Sequence, residues 1–193
     1  MVLPIIAYGH QGLREKTREI GPDYPDLAGL IENMYDTMYH AQGVGLAAPQ
    51  VNIPIRLFVI DGEPMESSRE EGEESMLGFK GVFINPKILG EMGDKWSFEE
   101  GCLSIPDIRE PIMRKSEIVI KYFDENFEEK METYTGLKAR IIQHEYDHVE
   151  GVLFTDYLSR MRKQLLKGRL GKITKGEIDA AYPMKFPDRE VKA

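Results

Sequence analysis

The stretch TGLKARIIQHEYDHVEG (135–151) is the part of the chain on which the prediction of the fold depends. Its apolar and histidine positions recur at i, i+4, i+7 and i+11, which predicts a helix that carries them on one stripe. Gly151 is the expected end of this helix. The stripe should face the protein interior, and it consists of Leu137, Ile141, His144 and His148.

The same helix contains HEYDH (144–148), a match to the metal-binding pattern H-E-x-x-H. Four residues of helix turn by about 400° and rise about 6 Å, so that His144 and His148 project from one face and can converge on one ion. Glu145 is rotated by about 100° from His144, which places its carboxylate beside the open position of such an ion. Two inward histidines without a role cost a few kcal/mol, so metal binding is favoured over an ordinary histidine pair.

A catalytic site of this kind needs a third protein ligand and an open coordination position. One known solution is a third histidine six residues after the second, but Phe154 occupies that position. The other candidates are His10 and His40, which we expect to be surface or capping residues, Glu150, which is close along the helix, and Cys102. Cys102 is a soft donor suited to zinc, iron or cobalt, although a lone cysteine is often a small buried apolar residue. It lies in EGCLSIP (100–106), which has the pattern of an extended strand.

The composition is that of one globular domain, with 193 residues, 41% of them apolar and 30% charged. A single cysteine excludes an internal disulfide framework. The chain has no apolar run of about 18 residues and no signal-peptide pattern, so we expect no membrane association and a cytoplasmic location. The net charge of −8 argues against a surface that binds nucleic acid as a whole, and no DNA partner is predicted.

The remaining pattern predicts one more helix and several strands. The helix covers 26–42, with Asp26 as its N-cap and Gly43 as its end. The predicted strands are 55–61, 81–89 with an interruption at Pro86, 117–124 and 126–134, the last two joined by a tight turn at 124–126. The segment 62–78 is rich in Glu, Ser and Gly, which predicts a mobile acidic surface loop.

Basic residues are prominent in two further places. On the HEYDH helix, Lys138 and Arg140 lie off the histidine stripe, which predicts a solvated face. From residue 160 onward the chain is basic and is interrupted by Gly168, Gly171 and Gly176, so that no continuous helix is predicted there.

Three segments in this order and spacing resemble peptide deformylase: GVGLAAPQ (43–50), EGCLSIP (100–106) and QHEYDHVEG (143–151). The resemblance covers residues 4 to 160 and implies an α+β fold with antiparallel strands packed around a central metal-bearing helix. It implies a catalytic domain over 1–160, followed by a basic, Gly-interrupted tail over 161–193 that is part of the same domain or partly flexible. The implied activity is removal of the formyl group from the N-terminal formylmethionine of nascent polypeptides, which releases formate.

The resemblance also implies the roles of individual residues. Glu145 would be the acid–base residue, and the side-chain amide of Gln50 and the backbone N–H of Leu103 would hold the developing oxyanion. The implied metal ligands are Cys102, His144 and His148. The ion is expected to be ferrous iron, with zinc, nickel or cobalt as alternatives. The expected substrate-binding residues are Val44, Gly45, Phe98, Arg109, Leu137 and Ile141.

Several of these positions have a second interpretation that the sequence leaves open. The apolar pocket residues could equally be ordinary core residues, and Arg109 could form a surface salt bridge. The backbone of Gly45 is expected to lie alongside an extended substrate peptide. The basic tail over 160–175 could contact ribosomal RNA or remain solvated. Two other functions remain in view, a zinc peptidase that cuts internal peptide bonds and a noncatalytic peptide-binding protein.

Overall fold

The protein, in a computed structural model that describes residues 1–68 and 74–187, is organised around a long β-hairpin and one central helix. The helices are α1 (Leu27–His40), α2 (Gly136–Val149) and α3 (Arg160–Thr174). The strands are β1 (Ile5–Ile6), β2 (Gly45–Ala47), β3 (Leu57–Asp61), β4 (Lys80–Cys102), β5 (Ile105–Phe123), β6 (Glu129–Thr135) and β7 (Met184–Lys185). None of the described helices is long and apolar enough to cross a membrane.

The main sheet is antiparallel and has the strand order β2-β3-β4-β5-β6 within the described part of the chain. Strand β2 therefore lies at one edge of this sheet. A second, small sheet joins the two ends of the chain, because β1 pairs with β7 in parallel. Helix α2 packs on the main sheet, which confirms the predicted α+β fold with antiparallel strands around the HEYDH helix.

Strands β4 and β5 form one hairpin of 23 and 19 residues, whose tip is the turn Leu103–Ser104. Cys102 pairs with Ile105 across this turn, so the cysteine is the last residue of its strand. The sequence pattern predicted the base of the hairpin and an extended segment over 100–106, but it did not predict the arms between them or the turn at Leu103–Ser104 that interrupts this segment. Two of the inward-facing positions on β5 are the charged residues Glu110 and Arg114, which hide the alternation of buried and exposed residues. Pro86 lies at a shift of register, as its missing N–H requires.

Helix α2 is held on the sheet by its apolar side chains. Ala139, Ile142 and Val149 are buried in one cluster with Phe58 and Ile118. Each fully buried Ile or Val side chain contributes about 2 kcal/mol of hydrophobic stabilisation. The helix ends at Val149, and Gly151 follows with a φ of 73°, a left-handed conformation that glycine adopts without strain. The predicted start and end of this helix are thus confirmed.

Helix α1 differs from its prediction at its C-terminal end. It ends at His40, three residues before Gly43, because Gln42 adopts a left-handed φ of 55° and the N–H of Gly43 donates to the carbonyl of Met38 at 2.8 Å. Asp26 occupies the N-cap position, but its φ is 50° and its side chain makes no capping hydrogen bond. The predicted N-cap position is therefore confirmed, although the Asp26 side chain does not cap the helix.

The basic segment after residue 159 forms a continuous helix, α3, which corrects the prediction that it would not. The Ser159 hydroxyl caps the helix by accepting from the N–H of Arg162. Each internal glycine costs about 1 kcal/mol, whereas each buried aliphatic side chain returns about 2 kcal/mol. The buried side chains of α3 are Leu166, Leu170 and Ile173, and they pack with Ile6, Leu13 and Phe154. The domain boundary at residue 160 stays a prediction.

The acidic segment 62–78 is partly ordered by packing. Its residues Glu63–Ser68 form a 3-10 helix, and Met76 is buried. The Glu66 carboxylate accepts a hydrogen bond from the N–H of Met76 at 2.6 Å. Glu63–Ser68 and Met76 therefore depart from the predicted surface loop, whereas the mobility of the segment stays a prediction. Residues 69–73 lie outside the described part of the chain.

Candidate metal centre

The hairpin tip and helix α2 bring one thiol and two imidazoles together. The Sγ atom of Cys102 and one nitrogen each from His144 and His148 all lie within 4.8 Å of one another. The Cys102 Sγ atom is 3.3 Å from the His148 Nε2 atom. Ligands at about 2.0–2.3 Å from one tetrahedral ion are about 3.5 Å apart, so this donor set fits a single metal ion. Among the residues that the structure describes, no other set of three histidine, cysteine or acidic side chains brings its ligand atoms this close together.

The other candidate ligands have different roles. His10 caps the 3-10 turn at Gln11–Leu13, where its Nδ1 atom accepts from the N–H of Gly12 at 3.1 Å. His40 is exposed at the end of α1. Glu150 forms an ion pair of 2.5 Å with Arg56. The interpretation of both histidines as surface or capping residues is therefore confirmed.

A buried carboxylate, Glu100, orients the first of the two imidazoles. The Oε2 atom of Glu100 is 3.0 Å from the Nδ1 atom of His144. Arg114 donates one hydrogen bond to each oxygen of the Glu100 carboxylate, at 2.7 Å to Oε1 and at 3.0 Å to Oε2. Burial alone would raise the pKa of Glu100, but the hydrogen bonds from His144 and Arg114 hold that pKa well below its usual range. An ionised Glu100 accepts a hydrogen bond from the Nδ1–H group of His144, which leaves the Nε2 lone pair of His144 for a metal ion.

Arg140 is the second cation of this cluster, and its position corrects the prediction of a solvated face. The residue is only 2% exposed. It donates to Glu100 at 2.9 Å and to the carbonyl of Trp96 at 2.7 Å, and it stacks on the Trp96 ring. Lys138, two residues earlier on the same helix, is partly buried and pairs with Glu74 at 3.1 Å. Both basic side chains pair with acidic residues that are distant in sequence, Glu100 and Glu74, so these contacts depend on the tertiary fold.

We expect Arg114→Met to destabilise the protein by about 3–5 kcal/mol, because it leaves the buried Glu100 and the partly buried Asp147 without their shared cation. The free energy of unfolding, measured by urea denaturation, tests this. Lys121→Met is the matched control, since Lys121 pairs with the exposed Glu129 and its removal should cost less than about 1 kcal/mol. Equal losses in the two variants would contradict the role of the buried cluster.

Glu145 lies beside the same centre. It is 5% exposed, and its Oε2 atom is buried without a hydrogen-bond partner among the described residues. Gly45 leaves room for it, because a Cβ atom on Gly45 would lie 2.7 Å from the Glu145 Cδ atom. Burial raises the pKa of Glu145 to about 7, against the opposing effect of His144. A carboxylate with such a pKa can both accept and return a proton near neutral pH.

Gln50 reaches the centre from the 3-10 turn Ala48–Val51. The residue is buried, and its Oε1 atom accepts from the N–H of Ala47 at 2.8 Å. This bond fixes the amide so that Nε2 faces the hairpin tip, 3.6 Å from the Cys102 Sγ atom and 3.4 Å from the Ser104 Oγ atom. The distance to Ser104 is long for an N–H···O bond, so the Nε2–H group on that side remains available to a stronger acceptor.

A cleft of about 900 Å³ opens over the centre. Its lining includes Leu103 and all the predicted substrate-binding residues, which are Val44, Gly45, Phe98, Arg109, Leu137 and Ile141. Val44, Leu137 and Ile141 also belong to or pack against the core around α2, so the two interpretations of these three positions are compatible. Arg109 is exposed, and its side chain lies over Gly101.

Other residues of the cleft were missed by the sequence analysis. Met65 comes from the acidic segment, where no pattern marked it. Arg169 and Tyr182 come from the C-terminal region, which the analysis set aside as a tail. No local signal could have assigned them to the cleft, because their position depends on α3 and β7 packing back against the N-terminus.

A thiol and two imidazoles that converge beside a buried carboxylate, at the floor of a cleft, are the arrangement expected of a metal-dependent hydrolase. Comparison with known proteins narrows this class. A family model described as polypeptide deformylase matches residues 2–164. The chain therefore belongs to the polypeptide deformylase family, as the three sequence segments indicated.

Individual relatives agree over nearly the whole chain. The peptide deformylase of Christiangramia forsetii is 54% identical over 191 residues, covering 97% of this chain and 97% of the relative. That of Flavobacterium psychrophilum is 53% identical over 189 residues, covering 96% and 97%. The crystal structure of a peptide deformylase from Legionella pneumophila has a TM-score of 0.77 at 33% identity and covers 92% of this chain and 98% of that one. Enzymes of this family remove the N-terminal formyl group of formylmethionyl nascent peptides.

Proposed function

We propose that this enzyme hydrolyses the formamide of N-terminal formylmethionine with Cys102, His144, His148 and Glu145 at its centre, releasing formate and a free amino terminus. The observation that carries the proposal is the convergence of the thiol and the two imidazoles within 4.8 Å at the floor of the cleft. The buried, uncharged amide of Gln50 lies next to the Cys102 sulfur, where its N–H group can donate a hydrogen bond to an oxyanion.

Cys102, His144 and His148 would hold one divalent cation, which we propose to be ferrous iron, with zinc, nickel and cobalt as ions that the same donors accept. When bound there, the cation supplies Lewis acidity, which lowers the pKa of water toward neutrality. A thiolate ligand is vulnerable to oxidation, so the native ion should be analysed in protein purified without oxygen.

The protein side chains divide the remaining work. Glu145 accepts a proton from the attacking water and returns it to the leaving amine. The Nε2–H of Gln50 and the backbone N–H of Leu103 donate to the oxygen that becomes negatively charged in the tetrahedral intermediate. Gln50 suits this role because Ala47 holds the other end of its amide.

Methionine recognition is assigned to the apolar part of the cleft. Phe98 of β4, Val44 and the α2 residues Leu137 and Ile141 line it, and an irregular apolar pocket suits an unbranched thioether. Arg109 lies at the exposed side of the cleft, where we place the rest of the substrate peptide.

The substrate backbone is assigned to Gly45 on the edge strand β2. The N–H of Asp61 donates to the carbonyl of Val44 at 3.0 Å, so the antiparallel alternation turns the backbone groups of Gly45 away from β3. An extended peptide can add there as a strand. This mode reads the main chain and tolerates many different side chains after the methionine.

The test compares one peptide with and without its N-terminal formyl group. We expect formate release from the formylated peptide and no cleavage of either peptide at internal bonds. Treatment with a chelator should abolish formate release, and Fe²⁺ or Co²⁺ should restore it. Cleavage inside the unformylated peptide would instead identify a peptidase, and binding without any reaction would identify a noncatalytic peptide-binding protein.

Contact with the ribosome is a separate proposal, carried by the exposed basic residues of α3. Formylated nascent chains emerge from ribosomes in the cytoplasm, so we also propose a cytoplasmic location for this enzyme. We expect the double variant Lys167→Glu/Lys172→Glu to weaken ribosome binding by about tenfold at low salt, since each phosphate contact adds to the salt-dependent affinity. Cosedimentation with ribosomes measures the binding. Lys121→Glu, a charge reversal on the exposed surface of β5, is the control. Unchanged cosedimentation, with formate release intact, would remove this role.

A further inference from the structure

The turn that carries Leu103 is tied to both ends of the chain. The hydroxyl of Tyr182 donates to the carbonyl of Leu103 at 2.7 Å, and the backbone N–H of Tyr8 donates to the carbonyl of Ser104 at 2.8 Å. On the returning strand, the Arg169 guanidinium donates to the carbonyl of Asp107. Main-chain carbonyls of the hairpin tip and of the returning strand are thus held from outside the hairpin.

Tyr182 is itself fixed by its surroundings. Next to it in sequence, the carbonyl of Pro183 accepts from the N–H of Ile5 at 2.9 Å, and Met184 then pairs with Ile5 in the β1–β7 sheet. The Tyr182 ring packs against the apolar core around α1. Burial also raises the pKa of its phenol, so the hydroxyl keeps its proton and remains a donor.

The segment that contains Tyr182 lies beyond residues 2–164, where the family model matches. It nevertheless forms part of the cleft, since Asp179, Ala181 and Tyr182 line it together with Leu103. The C-terminal segment therefore contacts the hairpin tip at the point where the proposed oxyanion donor and the proposed thiolate ligand are adjacent residues.

We propose that Tyr182 is a positioning residue for the reaction: by holding the Leu103 carbonyl, it fixes the turn that presents the Leu103 N–H and the Cys102 sulfur to the centre. This inference rests on the proposed function of Leu103. A donor aimed at an oxyanion acts only in a narrow range of positions, and misplacement of a reacting group by about 1 Å can cost about 100-fold in rate. Loss of one of several bonds to the turn should displace it by less than that.

The test is Tyr182→Phe, which removes the hydroxyl and leaves the ring in the core. The matched control is Tyr35→Phe, because the Tyr35 hydroxyl also donates to a main-chain carbonyl, that of Gly81 at 3.0 Å, away from the turn. In the metal-loaded enzyme we expect Tyr182→Phe to lower kcat about tenfold with unchanged KM and metal content. Amide hydrogen exchange of the peptide covering residues 102–106 should become several-fold faster. Tyr35→Phe should change neither quantity.

The outcomes separate this inference from the function on which it rests. Faster exchange at residues 102–106 together with a lower kcat, both specific to Tyr182→Phe, supports the positioning role. Unchanged exchange, or faster exchange with an unchanged kcat, overturns it, as do equal effects in Tyr35→Phe. A wild-type enzyme that releases no formate overturns the proposed function instead, and the exchange data then still report whether Tyr182 fixes the turn.

Discussion

Glu145→Gln is expected to lower kcat for formate release by about 10³–10⁴-fold while the protein keeps its metal ion. The amide matches the carboxylate in size, so it fits the space that Gly45 leaves open and keeps the fold. It cannot accept a proton from water and return it to the leaving amine, and loss of general acid–base catalysis removes the contribution of that step. Steady-state formate release, metal analysis and thermal unfolding of the same preparation measure the three quantities.

Glu150→Gln is the matched control for this variant. Glu150 follows the same helix but pairs with Arg56, and neither residue lines the cleft, so kcat should stay within about twofold of the wild type. A fully metal-loaded Glu145→Gln enzyme that retains a tenth of the wild-type activity would show that another group transfers the proton. Loss of metal from this variant would show that Glu145 supports the ligands instead.

Helix α2 could be predicted from the sequence because its signals are local. The stripe that includes Ile141 and His148, and the terminal Gly151, lie within a few turns of one another, and periodicity reports them directly. The arms of the β4–β5 hairpin could not be predicted in the same way. The inward position of Arg114 is satisfied by Glu100 on the opposite strand and by Asp147 on α2, and neither partner is visible from the sequence around Arg114.

The residues of the candidate centre likewise fall into those that local motifs predict and those that depend on tertiary contacts. Cys102 and His144 stand in short motifs whose residue types already indicate a shared ion, and the structure brings their donor atoms together. Arg140 was placed on a solvated face because its stripe of α2 carries basic residues, although a buried carboxylate neutralises it. Tyr182 carried no signal, since its contact with Leu103 exists only after β7 pairs with β1.

Gln50→Glu is expected to lower kcat by about 10²–10³-fold, the usual effect of losing one oxyanion donor, with metal content unchanged or raised. The carboxylate replaces the Nε2–H that faces the centre with a negatively charged oxygen, which repels the developing oxyanion. The same negative charge, close to the Cys102 Sγ atom, favours retention of a cation. KM should change little, because the pocket around Leu137 is untouched.

Gln42→Glu controls for the added charge, since Gln42 lines the same cleft but is exposed and lies outside the proposed oxyanion site. Its kcat should remain within about threefold of the wild type, because solvent screens a charge at the mouth of the cleft more strongly than one at its floor. Formate release at saturating substrate, measured beside the metal content of each variant, separates the two positions. Near-normal turnover in Gln50→Glu, or equal losses in both variants, would mean that the amide of Gln50 does not stabilise the oxyanion, and that Leu103 and the cation suffice.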